Sequence, residues 1–277
     1  AGGLAASADD IICEGVMGLF DGATLSDDRF DGSTAALAQI TGWPVILVVD
    51  ASKQAASAAV LAKGFARHRP AVDVAGVIFN KVGSERHAKL LSDALKKIAP
   101  DLEVFGALPR NENLQLPSRH LGLVQAGEHK DLEPFLEKAA AWIGEHLDIA
   151  ALRRAMRPWP VRPKSDAPLL LPPLGQRIAV ARDDAFAFSY PAVLDGWREA
   201  GAEVKFFSPL ANETPDINAD AIYLPGGYPE LHAGRIAANW AFLDGLQQAA
   251  DDSKAIYGEC GGYMVLGHGL TDADGRR

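Results

Sequence analysis

The chain has 277 residues, of which 48% are hydrophobic and 23% charged; this balance excludes disorder throughout, and at ~100–200 residues per domain it predicts two domains. Its 27 basic and 36 acidic side chains leave a net charge of −9, which argues against broad nucleic-acid binding, since that needs a basic surface. The two cysteines, Cys13 and Cys260, show no disulfide or zinc spacing, no run approaches ~18 apolar residues and no basic-then-apolar leader opens the chain, so a cytoplasmic protein without a membrane span is expected.

The chain starts at Ala1 rather than Met and stops at Arg277, just after Ala273-Asp274-Gly275. Both ends read as cuts in a longer protein. Ile11-Ile12-Cys13-Glu14-Gly15 is predicted as a short buried strand ending in a turn, with Cys13 packed inside it. Clearer strands follow at 44–50, 74–80 and 104–109. Continuous apolar runs of this length suit strands buried on both faces of a parallel sheet. Helix-like stretches run from Ser52 to His68, Glu85 to Ile98 and Leu132 to Leu147. Strands alternating with helices predict a doubly wound α/β domain.

Between Arg157 and Gly175 stand Pro158, Pro160, Pro163, Pro168, Pro172 and Pro173. That density predicts an extended, semi-rigid linker. The expected division is a first domain over 1–157, a linker over 158–175 and a second α/β domain over 176–277. The second series has strands at 177–181, 204–207, 221–224 and 255–257. Its helices are expected at 191–200, ended by Gly201, and at 240–250.

The segment Ala255-Ile256-Tyr257-Gly258-Glu259-Cys260-Gly261-Gly262-Tyr263-Met264 takes a short strand into a Gly-flanked cysteine and then a helical start. This is the form of a nucleophile elbow, a sharp strand-to-helix turn that exposes a reactive side chain. Cys260 is the predicted nucleophile, and the Gly261 N–H is placed to stabilise an oxyanion. Leu224-Pro225-Gly226-Gly227-Tyr228-Pro229-Glu230 follows a strand of its own. In a parallel sheet it lies at the same carboxyl edge, where ligands bind. Its amides, at Gly226 and Gly227, are expected to complete the oxyanion hole. Cys13 has no such elbow and reads as packing.

Residues 177–267 resemble the class I glutamine amidotransferase domain, a flavodoxin-like fold, in its cobyric/cobyrinic acid synthase branch. The strings 223–231 and 258–264 carry that resemblance. It implies that Cys260 attacks the side-chain amide of glutamine, forms a γ-glutamyl thioester and releases ammonia. Such a cysteine needs a general base, usually His. In the family the base comes from a later loop, so it is expected beyond Arg277, and His268 reads as a surface or packing residue.

Glu14-Gly15-Val16-Met17-Gly18-Leu19-Phe20-Asp21-Gly22 places two carboxylates on a Gly-punctuated loop after a predicted strand. Carboxylates at such an edge suit a hard cation such as Mg²⁺, and two solvated loop acids are the plain alternative. The full string closely resembles the signature of cobyrinic and hydrogenobyrinic acid a,c-diamide synthases, whose nucleotide-binding fold is shared with dethiobiotin synthetases and MinD-like ATPases. The resemblance implies that Glu14 helps to hold Mg²⁺ and that Asp21 acts near the metal, phosphate or substrate carboxylate. The segment 76–87 resembles the strand end where an Asn amide reads adenine, which implies ATP contacts from Asn80 and Lys81. The segments 106–110 and 116–123 also match. Arg110 and Arg119 then face nucleotide or corrinoid carboxylates, or form exposed salt bridges. Asp50 is a weaker metal candidate.

No G-x-x-x-x-G-K-[ST] occurs. In the family this phosphate-cradling loop precedes the Glu14 string, so it is expected before Ala1. The resemblance implies ATP- and glutamine-dependent amidation of the a- and c-carboxylates of cobyrinic or hydrogenobyrinic acid, by a chain that forms a possible homodimer. Nickel-sirohydrochlorin diamide synthase and cobyric acid synthase share the architecture. The string Met17-Gly18-Leu19-Phe20-Asp21-Gly22 favours the a,c-diamide enzymes over cobyric acid synthase. A non-catalytic MinD-like binding module is the remaining, different class.

Overall fold

A computed structural model describes residues 8–23, 30–116, 124–158, 171–269, 271 and 275–276. The predicted contacts of Arg119 and most of the Pro-rich stretch lie outside these residues. The chain divides into two compact units, 1–163 and 164–277.

The first unit holds α1 (Thr34–Thr41), β1 (Val45–Asp50), α2 (Ser57–His68), β2 (Val74–Val82), α3 (Glu85–Ile98), β3 (Glu103–Pro109), α4 (Leu132–His146) and α5 (Ile149–Ala155). The three strands form a parallel sheet in the order β1-β2-β3. Val77 and Phe79 pack with Ala58, Ala62, Leu91 and Leu95 of α2 and α3. On the other face, Ile78 and Phe105 pack on Ala151 of α5. Successive residues of β2 therefore serve opposite faces, which is why the strand reads as one unbroken apolar run.

The helices carry their own start and stop signals. Ser33 caps α1 by accepting from Ala36 N, and Gly42 ends it at φ 70°. Ser84 caps α3 by accepting from His87 N, with Glu85 in its first turn and Lys96 and Lys97 in its last.

Three expectations are corrected here. Ile11–Gly15 is not a strand: no ladder partner stands beside it among the described residues, and Ile12 is 86% exposed. Cys13 is accordingly exposed rather than packed. The helix expected from Ser52 begins only at Ser57, because Asp50 Oδ1 captures the Ser52 N–H at 2.9 Å and Gln54 N turns back to Ala51 O. A short polar side chain that bonds local backbone competes with the helix in this way.

The second unit holds β4 (Arg177–Ala181), α6 (Pro191–Glu199), β5 (Glu203–Phe207), β6 (Ala221–Leu224), α7 (Ala233–Ala238), α8 (Trp240–Asp251), β7 (Ala255–Gly258) and α9 (Gly261–Val265). All four strands are parallel, in the order β5-β4-β6-β7. Ile178 and Val180 pack with Leu194 and Trp197 of α6 on one face. Ala179 and Ala181 pack with Phe242 and Leu246 of α8 on the other. From β4 the chain steps one way to β5 and the other way to β6. A sheet that reverses direction like this binds its ligand beyond the carboxyl ends of the strands at the reversal. Among the described residues no helix is long and apolar enough to cross a membrane.

Candidate active site

Cys260 sits where β7 turns into α9, with φ 50° and ψ −118°. A non-glycine residue with positive φ is strained and persists only where its surroundings over-determine it. Those surroundings are backbone. Glu259 N donates to Leu224 O at 3.2 Å, Gly262 N to Glu259 O at 2.8 Å, and Met264 N to Cys260 O at 3.2 Å. A Cβ on Gly262 would stand 2.0 Å from Leu224 O, so the turn closes on β6 only with glycine there. Cys260 itself is exposed.

The two Gly turns read from the sequence come together. A Cβ on Gly226 would lie 3.2 Å from Cys260 Cβ, and a Cβ on Gly261 would lie 2.7 Å from Gly227 O. The loop after β4 backs this turn. Phe188 N donates to Gly226 O at 3.0 Å, the Phe188 ring meets Tyr228 edge-on, and Gly227 sits so close to Ala185 that a Cβ would fall 2.0 Å from its carbonyl oxygen. Asp183 fixes that loop by accepting from Ala185 N, Ser208 Oγ and Leu210 N at 2.8–2.9 Å. The ends of β4, β6 and β7 thus meet around the Gly226–Gly227 turn that stands beside Cys260.

Sequence reasoning missed Asp183 and Phe188, although the string Asp183-Asp184-Ala185-Phe186 directly follows a predicted strand at the carboxyl edge. It also missed a contact beside the nucleophile: Tyr223 Oη donates a short hydrogen bond to Glu259 Oε1. His268 is exposed.

In the first unit the Glu14–Gly22 segment is a structured loop. Leu19 is buried and its carbonyl accepts from Ala35 N. Phe20 packs against Phe65 and His68. Met17 has φ 57°. Asp21 Oδ2 accepts from Gly18 N at 2.8 Å, which leaves its other oxygen available, and both Glu14 and Asp21 are exposed. Among the described residues no group of three metal-ligating side chains gathers. Glu14 and Asp21 are thus two exposed carboxylates on one loop rather than an assembled metal site; Mg²⁺ commonly takes only one or two protein carboxylates and completes its shell with water and phosphate oxygens.

The ends of β1, β2 and β3 bring the other candidates together. Lys81, at φ 55° in a bulge of β2, reaches Asp50 Oδ2 at 2.7 Å. Its N–H donates to Asn80 Oδ1 at 2.8 Å. That leaves the Asn80 NH₂ and one oxygen lone pair unused by this contact. Arg110 donates to Ser52 O at 3.2 Å, and its N–H to Val82 O at 3.3 Å, tying the three strand ends. Lys81, then Ser52, holds the Asp50 carboxyl far below the usual carboxylate range. Asp50 is therefore ion-paired in this structure, with half of its side chain still exposed.

Comparison with known proteins follows the same division. Residues 16–124 match the CobQ/CobB/MinD/ParA nucleotide binding domain, and residues 177–277 match the CobB/CobQ-like glutamine amidotransferase domain. The chain is 53% identical over 268 residues to the hydrogenobyrinate a,c-diamide synthase of Brucella anthropi, covering 96% of this chain and 59% of that protein. It is 52% identical over 274 residues to the enzyme of that name from Sinorhizobium and 50% identical over 274 residues to that from Rhodobacter capsulatus, with 99% of this chain and 62% of each relative covered. The chain therefore spans about 60% of the length of these relatives. No solved structure matches it.

Proposed function

Since the chain belongs to the family that joins a CobQ/CobB/MinD/ParA nucleotide binding domain to a CobB/CobQ-like glutamine amidotransferase domain, we propose that it is part of an ATP- and glutamine-dependent ligase that amidates the a- and c-carboxylates of a corrinoid acid. The names of its relatives favour hydrogenobyrinic acid over cobyrinic acid and over a nickel tetrapyrrole. The observation that carries this reading is the exposed Cys260 in its strained elbow, facing the Gly226–Gly227 turn.

Cys260 gives its thiol proton to a base and adds to the carboxamide carbon of glutamine. The Gly261 and Gly227 N–H groups face the developing oxyanion, with Gly226 holding the turn against Phe188. Collapse of the adduct breaks the C–N bond and releases ammonia, and water then hydrolyses the thioester to glutamate. In the first unit the terminal phosphoryl group of ATP passes to a substrate carboxylate oxygen. Ammonia attacks the resulting acyl phosphate and expels phosphate. A carboxylate is a poor acyl donor until its oxygen leaves as phosphate, which is why ATP is consumed. Asn80, Lys81 and Arg110 would contact the nucleotide, and Glu14 and Asp21 would hold Mg²⁺, which would supply charge neutralisation at the phosphates.

The test is Cys260→Ala in the full-length protein. Amidation with glutamine is abolished, while amidation with added ammonium is retained. Loss of both activities, or retention of both, sinks this division of labour.

A further inference from the structure

The residue before the nucleophile is a carboxylate, and it is held at three points. Glu259 N donates to Leu224 O, Glu259 O accepts from Gly262 N, and its side chain accepts from the phenol of Tyr223. Strand register makes this possible. Tyr223 stands opposite Tyr257 and Leu224 opposite Gly258 in the β6–β7 ladder, so the residue after Gly258 reaches back over the end of β6.

Tyr223 is 3% exposed. Its ring stacks on Tyr257 with centroids 5.8 Å apart and meets Trp197 edge-on at 5.6 Å, so the hydroxyl has one place to be. Burial, then the Glu259 hydrogen bond, pushes the phenol well above its ordinary range. It is a permanent donor at any physiological pH.

We propose that Tyr223 and Glu259 form a latch that positions Cys260: the phenol anchors the carboxylate on β6, pinning the elbow in its strained turn and keeping the negative charge off the adjacent thiol. Both are positioning residues, and the proposal rests on the reading of Cys260 as the nucleophile. A carboxylate set loose one residue from a thiol disfavours the thiolate and raises the pH at which it forms. Among the described residues, the titratable groups on the elements next to the elbow include Tyr228, Glu230 and His232 in and after the Gly226–Gly227 turn, Tyr257 on β7, Tyr263 on α9 and Tyr190 before α6. They are the same in every variant below.

The test uses the 277-residue chain with Cys13→Ser, so that iodoacetamide modifies Cys260 alone. The alkylation rate is followed from about pH 6 to about pH 10, spanning the ordinary thiol range. Tyr223→Phe removes the donor. Glu259→Asp shortens the carboxylate out of reach while leaving the aromatic stack intact, which keeps the test open if Tyr223→Phe does not fold. Both raise the midpoint by about half a unit or more, a roughly threefold slower reaction near neutral pH. Glu259→Gln, and Tyr223→Phe combined with Glu259→Gln, show no such rise. Midpoints of Tyr223→Phe and Glu259→Asp that coincide with the parent overturn the latch, as does an equal rise with Gln at 259. A Cys260 that stays unmodified at every pH instead overturns the nucleophile reading beneath it.

Discussion

Lys81 Nζ lies 2.7 Å from Asp50 Oδ2, closing a pair between the ends of β1 and β2 from a residue at φ 55°. Both side chains are more than half exposed, at 56% and 51%, so solvent screens the pair and its contribution is at most about 1 kcal/mol. Its pH dependence has a definite sign. A carboxyl held below its unfolded value stabilises the fold above that value, about 4, and loses the contribution as pH falls towards the lower folded value. Lys81→Met is therefore slightly less stable than the parent at neutral pH, and the gap closes in acid. Urea denaturation at neutral pH and near pH 3 measures it; a gap that widens in acid contradicts the pairing.

Two kinds of glycine separate cleanly in this fold. Gly227 faces the Ala185 carbonyl so closely that a Cβ would meet it at 2.0 Å, whereas Gly234 in α7 and Gly64 in α2 have nothing within 4 Å of a Cβ. Gly227→Ala forces backbone apart and costs at least about 3 kcal/mol. Gly234→Ala and Gly64→Ala remove chain freedom inside helices and stabilise by about 0.5–1 kcal/mol each. Denaturant midpoints decide the matter: Gly227→Ala at parental stability would show that the turn below Cys260 packs more loosely than described.

Much of this arrangement was legible in the chain. Strands such as Ala221–Leu224 are buried on both faces, so they appear as apolar runs that no half-exposed strand would show. The elbow at Cys260 is legible because its glycines are demanded by backbone approaches within a few residues. What the sequence hid depends on distant partners. Ile11–Gly15 has strand-like composition, but a strand also needs a neighbour for its ladder. Helix α1 was passed over despite the Ser33 cap and Gly42 stop, because its eight residues give too short a period to stand out. The Tyr223–Glu259 contact joins residues 36 apart and appears only once β6 and β7 are in register.

Asp183 is the structural support of the loop behind Gly226. Its carboxylate accepts from Ala185 N, Ser208 Oγ and Leu210 N, joining the ends of β4 and β5. Asp183→Ala leaves these donors without an acceptor and destabilises the chain by about 3 kcal/mol, since bonds to a charged group are stronger than neutral ones. Asp183→Asn keeps one acceptor oxygen and falls between the two. The same order, parent above Asn above Ala, is expected for the alkylation rate of Cys260 in a Cys13→Ser background, because Phe188 and Ala185 on this loop hold the turn that faces the thiol. Asp183→Ala with parental stability would show that this carboxylate does not hold the loop behind Gly226.

Asp21 separates charge from geometry in the candidate metal loop. Its Oδ2 accepts the Gly18 N–H at 2.8 Å, and Gly18 O in turn accepts the Asp21 N–H at 3.1 Å. Asn at this position keeps an acceptor for Gly18 and loses only the charge, so Asp21→Asn changes stability by less than about 0.5 kcal/mol. Asp21→Ala removes the acceptor as well and loosens the turn. If Asp21 serves Mg²⁺ and phosphate chemistry, both variants in the full-length protein lower ATP-dependent amidation with added ammonium by tenfold or more, or about 1.4 kcal/mol, and raise the Mg²⁺ concentration required. Glutamine hydrolysis at Cys260, which belongs to the other unit, stays at its parental rate. If instead Asp21 only shapes the loop, Asp21→Asn retains full amidation and Asp21→Ala alone is impaired. Amidation and glutaminase assays run side by side over a Mg²⁺ series distinguish the two.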